Sequence, residues 1–209
     1  MSAALTHPVR STRKPKGEGH ARRAEILTAA EQIFVAHGYE GATIRKIADA
    51  VGLSSTALYM HFPDKGAILH EICRNAFERL REGQDQIIAA AMPPETRLRR
   101  LLEAYVDFGF ANPNAYRLIY LTRPDEAQQA QAAAQEVGIE LFRAFEVVVE
   151  EAEAEGRLRA DAHVTARTLW AGVHGVVSLM ITKPYFDWPS REALSRTMLD
   201  ALFTGLLKP

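Results

Sequence analysis

Apolar residues recur with a helical period through most of this chain, and no stretch alternates as a strand would. Ile26, Ala30, Ile33, Phe34 and His37 fall at i, i+4, i+7, i+8 and i+11, one face of a helix starting near Arg22. Gly38 stands where a glycine ends such a helix. After a short loop over 39–42, Thr43 is placed to cap a helix that turns Ile44, Ile47 and Ala48 to one side and ends near Ala50. Gly52 can turn the chain at positive φ. Ser54 then caps a third short helix, about Ser55–Met60, with Ala57 and Leu58 inward. His61-Phe62-Pro63-Asp64 breaks it, because the residue before a proline resists the α conformation, and Asp64 can cap the next helix.

Longer helices account for the rest. Residues 65–91 turn Ile68, Leu69, Ile72, Ala76, Leu80 and Ile87 inward and stop at Pro93-Pro94. A helix from about Glu95 carries Leu98, Leu101, Leu102, Tyr105 and Phe108 to Asn112-Pro113, and a short one covers 114–121. Pro124 suits the first turn of a helix to about Glu155, with Val137, Leu141, Phe142, Phe145, Val148 and Val149 inward, ended by Gly156. Asp161 or His163 opens the next, through Ile181, and Pro189 the last, with Leu194, Met198, Ala201, Leu202 and Leu206. The pattern predicts an all-α chain of nine helices. Residues 1–20, polar and basic, read as a flexible arm; 21–66 form a three-helix unit; 67–209 form a larger helical body.

Composition changes this picture little. Of 209 residues, 47% are hydrophobic and 24% charged, enough for a core in a soluble protein. The net charge of −1 is divided unevenly. Residues 1–65 hold nine Lys and Arg against six Asp and Glu, and the rest is acidic, so the front is the part suited to an anionic partner. The uncharged run from Leu169 to Thr182 contains His174 and falls short of a membrane span. The first 21 residues contain no apolar leader segment, and Cys73 has no disulfide partner, so a reducing cytoplasm and no membrane are expected.

No enzyme chemistry stands out. The seven histidines show no HExxH or paired-ligand spacing, there is no glycine-rich phosphate loop, and Cys73 falls on a core face of its helix. No cofactor or metal is called for. Two short helices joined by a tight glycine-containing turn, Thr43–Ala50 and Ser55–Met60, instead have the layout of a helix-turn-helix. A B-DNA major groove about 12 Å wide admits one helix, which a second must brace. Ser54, Ser55, Thr56, Tyr59 and His61 lie on the outer side of the second helix, within reach of phosphates or base edges. Lys65 and Thr43 stand at helix N-termini, where phosphates are favoured. Helices that merely pack, or a helix-turn-helix turned to protein binding, are the alternatives.

The string Thr43-Ile44-Arg45-Lys46-Ile47-Ala48-Asp49-Ala50-Val51-Gly52-Leu53-Ser54, followed by Ala57-Leu58-Tyr59-Met60-His61-Phe62-Pro63-Asp64-Lys65, resembles the TetR family of repressors. The likeness covers about 45 residues, back through Ile26-Leu27 and Phe34 to Gly38-Tyr39. It implies double-stranded DNA, a palindromic operator, as partner, with Thr43, Arg45, Ser54, Ser55, Thr56, Tyr59, His61 and Lys65 facing it. Tyr59, His61 and Lys65 would grip phosphates, while Arg45 and Ser55-Thr56, with Met60, would read bases. Gly66 departs from the family, which usually has a better helix former there.

The body resembles regulatory domains that carry a Trp-x-x-x-His-Gly segment, here Trp170 to Gly175, together with Asn112-Pro113 and Tyr116-Arg117-Leu118. That likeness implies an unidentified small-molecule effector bound among the fifth to eighth helices, and a homodimer through the last two. Tyr105, Phe108, Tyr116, Phe142, Phe145, Trp170 and His174 are the candidate pocket residues; each could equally fill core, and His174 an interface. Leu169, Val173 and Val177, with Leu194, Ala201 and Leu202, form apolar stripes for a dimer seam or for the core, with Gly172, Gly175 and Gly205 permitting close approach.

Overall fold

The computed structural model describes residues 18–120 and 128–208, with side-chain surroundings from 20 to 120 and from 136 to 208. Among the described residues there are nine helices and no strand: α1 (Glu18–Gly41), α2 (Ile44–Ala50), α3 (Ser55–Tyr59), α4 (Lys65–Ile88), α5 (Pro94–Ala111), α6 (Pro113–Tyr120), α7 (Gln128–Ala154), α8 (Ala162–Thr182) and α9 (Arg191–Leu206). The arm before residue 18 and the start at Pro124 lie outside the described residues.

Capping residues set most of these boundaries. Thr43, Ser54, Asp64, Asp161 and Ser190 each accept a backbone N–H from three residues ahead, satisfying a first-turn donor. Gly38, Gly52 and Gly156 take φ of 69°, 66° and 71°, a left-handed conformation that side chains resist. Three boundaries differ from the sequence expectation by more than one residue. Residues 39–41 continue helically beyond the Gly38 kink instead of forming a loop. α4 stops at Ile88, short of Ala91. Ser190, not Pro189, caps α9, because a hydroxyl can accept where a proline ring cannot. Of the two candidates for α8, Asp161 is the cap.

α1, α2 and α3 close around Ile26, Phe34, Ile47, Ala48 and Leu58, all essentially inaccessible to solvent. α1 also packs on α4 and α6, which ties this unit to the body. In the body α4 lies mainly along α7, α5 sits between α7 and α8, and α9 covers α8. One apolar cluster runs through both parts. The α8 helix begins seven residues before the uncharged run starting at Leu169 and is long and apolar enough to cross a membrane by length and composition. Its Leu169, Val173 and Val177 are buried among the helices packed on it, as in the core helix of a bundle.

Candidate DNA interface and effector cavity

The turn between α2 and α3 is closed by Leu53 N–H donating to the Ala48 carbonyl at 2.9 Å. Burial of Ile47, Ala48 and Leu58 fixes the rotation of both helices and turns their opposite faces outward. Arg45 has a side chain 86% exposed, with only a loose ion pair to Asp49 at 3.8 Å. Thr56 is exposed, as are two large side chains at the end of α3, Tyr59 at 54% and Met60 at 84%. Thr43 and Ser54 use their oxygens as caps, at 3.2 and 3.1 Å from the Lys46 and Ala57 nitrogens, and keep their O–H groups to donate. Ser55 and His61 are half-buried.

Lys65 is more committed than its position suggests. Its Nζ donates to the Tyr39 carbonyl at 2.8 Å, lies 4.1 Å from the centre of the Tyr39 ring and is 3.8 Å from Glu40. Gripping a phosphate would draw on a cation that already holds the end of α1. The same corner explains Gly66: a Cβ there would lie 3.1 Å from the Asp64 carboxylate that caps α4 and 3.3 Å from the Tyr39 hydroxyl. Arg23 is the residue that spacing could not reveal. It hydrogen-bonds Glu71 through two nitrogens, donates to the His61 carbonyl at 2.5 Å, and stacks 4.1 Å over Phe62. The end of α3 is thereby pinned to α1 and α4. Arg22 donates to the Val51 carbonyl at 3.3 Å and pairs with Glu25, so both helix-1 arginines serve the fold.

The body encloses a cavity of about 640 Å³. α4 supplies Leu69, Cys73, Phe77, Leu80 and Gln84; α5 supplies Leu101, Leu102 and Tyr105; α6 supplies Leu118, Ile119 and Tyr120. α7 and α8 close it with Phe142, Phe145 and Trp170, and with the charged trio Arg143, Glu146 and Arg167. Four of the seven candidate pocket residues, Tyr105, Phe142, Phe145 and Trp170, therefore line it. Phe108 is buried in the core cluster, and Tyr116 and His174 stand one layer behind. The α4 wall was not anticipated. Its signal was Gln84, a polar residue on the face that otherwise carries Cys73, Phe77 and Leu80 at helical spacing.

Tyr116 and His174 reach the cavity through Tyr105. The His174 Nδ1 atom is 2.6 Å from the Tyr116 hydroxyl and 2.9 Å from that of Tyr105, and the two hydroxyls are 3.2 Å apart. Burial lowers the His174 pKa from its ordinary value. A neutral ring with Nδ1 as acceptor fits one phenol donor, with the second phenol linked through the hydroxyl-to-hydroxyl contact. Burial likewise raises the pKa of Tyr105, Tyr116 and Tyr120, and pushes the Cys73 thiol up to about 12. Burial thus favours the neutral form of the three phenols and of the thiol. Among the described residues no three His, Cys, Asp or Glu converge as metal ligands would.

The last two helices divide the apolar stripes differently from the expectation. Leu169, Val173 and Val177 are core. Gly172 serves the packing of α9 on α8, since a Cβ there would lie 2.6 Å from Leu202 Cδ1. Gly175 and Gly205 look onto open space. Beside them an exposed stripe of Val164, Ala171 and Leu179 runs along α8, with Val164 and Leu179 47% and 48% exposed.

A braced recognition helix on a helical body that encloses an apolar cavity defines a helix-turn-helix transcriptional regulator. Residues 26–72 match the family model of bacterial regulatory proteins, tetR family, and residues 98–202 that of the tetracyclin repressor-like C-terminal domain. The chain belongs to the TetR family. It is 34% identical over 128 residues to the transcriptional activator FasR of Mycolicibacterium smegmatis, a match covering 59% of this chain and 57% of that protein. The transcriptional repressor AcnR of Corynebacterium diphtheriae is 43% identical over 61 residues, 29% of this chain and 32% of that one. The repressor KstR2 of Rhodococcus jostii is 29% identical over 148 residues, 68% and 71% of the two chains. The matches thus span 57% of the first of these relatives, 32% of the second and 71% of the third. In fold it is similar to the ketosteroid transcriptional regulator KstR2 of Mycobacterium tuberculosis (TM-score 0.72, 23% identity, 90% and 96% of the chains covered). The fatty acid degradation regulator FadR of Bacillus halodurans is also similar (TM-score 0.76, 20% identity, 92% and 98% covered).

Proposed function

We propose that this protein is a cytoplasmic repressor that binds a palindromic operator as a homodimer and releases it when an apolar effector enters the body cavity. The carrying observation is that one helix serves both ends. α4 starts directly after the recognition helix, where Lys65 and Glu71 hold Tyr39 and Arg23, and its middle forms the longest wall of the cavity. An effector that fits one position of α4 better than another shifts the equilibrium between the two, and with it the spacing of the recognition helices. Base reading falls to Arg45, Ser55 and Thr56; phosphate contacts fall to Thr43, Ser54, Tyr59, His61 and Lys65. The exposed α8 stripe and the open faces of Gly175 and Gly205 supply the dimer seam, and two half-sites about 34–36 Å apart require such a dimer. Relatives named for a ketosteroid and for fatty acid degradation support an apolar effector, and those named as repressors support repression.

Fluorescence anisotropy on double-stranded fragments from upstream of the protein's own gene tests the reading. Affinity should concentrate in one palindromic fragment and fall steeply with salt. Tyr59→Ala should weaken all fragments alike, and Thr56→Ala should change the preference among them. Affinity that ignores sequence would overturn the proposal.

A further inference from the structure

The loop between α8 and α9, residues 183–189, carries a cluster of aromatic rings turned to solvent. Tyr185 is 74% and Phe186 60% exposed. Their ring centres lie 5.7 Å apart, and that of Phe186 lies 5.4 Å from Trp188. The loop that presents them is nonetheless fixed. The Lys183 N–H donates to the Leu179 carbonyl at 2.8 Å. The Lys183 carbonyl accepts from the Phe186 N–H at 3.1 Å and from Trp188 Nε1 at 2.8 Å. Pro184 and Pro189 restrict both ends. The entropy of ordering this loop is lost on folding, so a partner meets rings already in place. Adjacent exposed apolar groups mark interaction surfaces, which scattered single ones do not.

Three features point to a second copy of the chain as that partner. Leu179, 48% exposed, belongs to the open α8 stripe and stands one helical turn before Lys183, so the rings prolong the stripe assigned to the dimer seam. The stripe also needs more area than its own small residues, Ala171 and Gly175, can supply. The open parts of Tyr185 and Phe186 amount to roughly 250 Å² in each protomer, about a third of the ~800 Å² that a stable interface takes from each partner. Lastly, Arg117 of α6 donates to the Ile181 carbonyl at 2.7 Å, and α6 packs on α1. The loop therefore lies at the end of the body that carries the DNA-binding unit. A second copy must be held there if two recognition helices are to keep a fixed spacing. Lys183 and Asp187 are the only charges in the loop and cancel, so it has no net field to draw an anionic surface.

We propose that the 183–189 loop is a clasp of the homodimer, with Tyr185 and Phe186 buried against the second copy at the DNA-proximal end of the α8 seam. This rests on the reading of the protein as a dimer through α8. A two-fold interface uses both loops, so any substitution in the clasp acts twice.

Two measurements on the full chain test it. The first is hydroxyl-radical footprinting of the unaltered protein, without DNA, at a concentration where sedimentation shows the dimer. Tyr59 is the internal reference, a tyrosine 54% exposed at the end of α3. In a lone protomer Tyr185, the more open of the two, would be oxidised faster; in the clasp it is oxidised severalfold more slowly than Tyr59. The second is the dimer dissociation constant of the Tyr185→Ser, Phe186→Ser double variant from sedimentation velocity. It should rise by about thirtyfold or more, the size of one interfacial aromatic hot spot. Tyr185 oxidised as fast as Tyr59 in the dimer would overturn the clasp. So would an unchanged dissociation constant, even with Tyr185 protected, because the rings would then be covered by another part of the chain. The footprint needs no variant, so a misfolded double variant leaves it decisive. If the unaltered chain sediments as a monomer at micromolar concentration, the dimer reading falls together with the clasp. If the dimer forms and the loop results fail, the clasp alone falls and the seam is confined to the helices.

Discussion

Replacing Gly109 by alanine puts one methyl group at the junction of three helices. A Cβ there would lie 2.4 Å from Val177 Cγ1 on α8 and 3.2 and 3.3 Å from Cδ2 and Cε2 of Tyr116 on α6. Carbon atoms rest about 3.5–4.0 Å apart, so the valine contact must open by about 1 Å. Neither neighbour can turn aside easily. Val177 is fully buried, and valine in a helix has essentially one rotamer. Tyr116 is fully buried and tied to His174 at 2.6 Å. The helices must therefore separate, which by the usual cost of overpacking is about 1–3 kcal/mol. Alanine returns up to about 1 kcal/mol of helix propensity. The net expectation is a loss of about 1–2 kcal/mol, or a Tm lower by about 2–8 °C for a chain of this size. Gly83→Ala on α4 is the matched control. Nothing lies within 4 Å of its Cβ, so it should stabilise by up to about 1 kcal/mol. Urea and thermal denaturation of the two variants measure both numbers. Gly109→Ala as stable as the parent, alongside a stabilised Gly83→Ala, would refute the packing argument.

Other expectations follow from the same geometry. Arg23→Ala removes the grip on His61 and Phe62 and leaves Glu71, 17% exposed, without its cation; a loss of about 1–2 kcal/mol in urea melts is expected, with weaker binding to every DNA sequence, and an unchanged melt would contradict it. Because burial lowers the folded-state pKa of His174, the unfolded chain takes up a proton there first as pH falls below about 6.5. Its contribution to stability is present above that pH and declines below it, so the urea midpoint should drop more between pH 7.5 and 5.5 than in His174→Gln; parallel drops would refute the assignment. Gly175→Ala, open within one protomer, should leave the melt of dilute protein unchanged or raised but weaken self-association in sedimentation, and unaltered association would move the seam away from α8.

Much of the fold was legible because it rests on local chemistry. Caps at Thr43, Ser54 and Asp64, glycines at 38 and 52, and the period of Ile47, Ala48 and Leu58 act within one or two helical turns. The outward face of the helix-turn-helix follows from the same period, since what is not buried must be exposed. Two boundary expectations failed where local signals competed, at Pro189 against Ser190 and at the loop after Gly38.

The sequence by itself therefore determined the helices, their order and the outward face of the helix-turn-helix. Only the tertiary structure decided which apolar residues meet across helices. It assigned Leu169, Val173 and Val177 to the core and left Gly175 and Gly205 open, a difference that periodicity cannot express because both stripes are apolar. It moved Tyr116 and His174 behind the cavity and brought α4 into its wall. It joined Arg23 to His61, 38 positions away. Contacts of this kind depend on the positions of whole helices relative to one another, which are set by the packing of all side chains together and by no local segment.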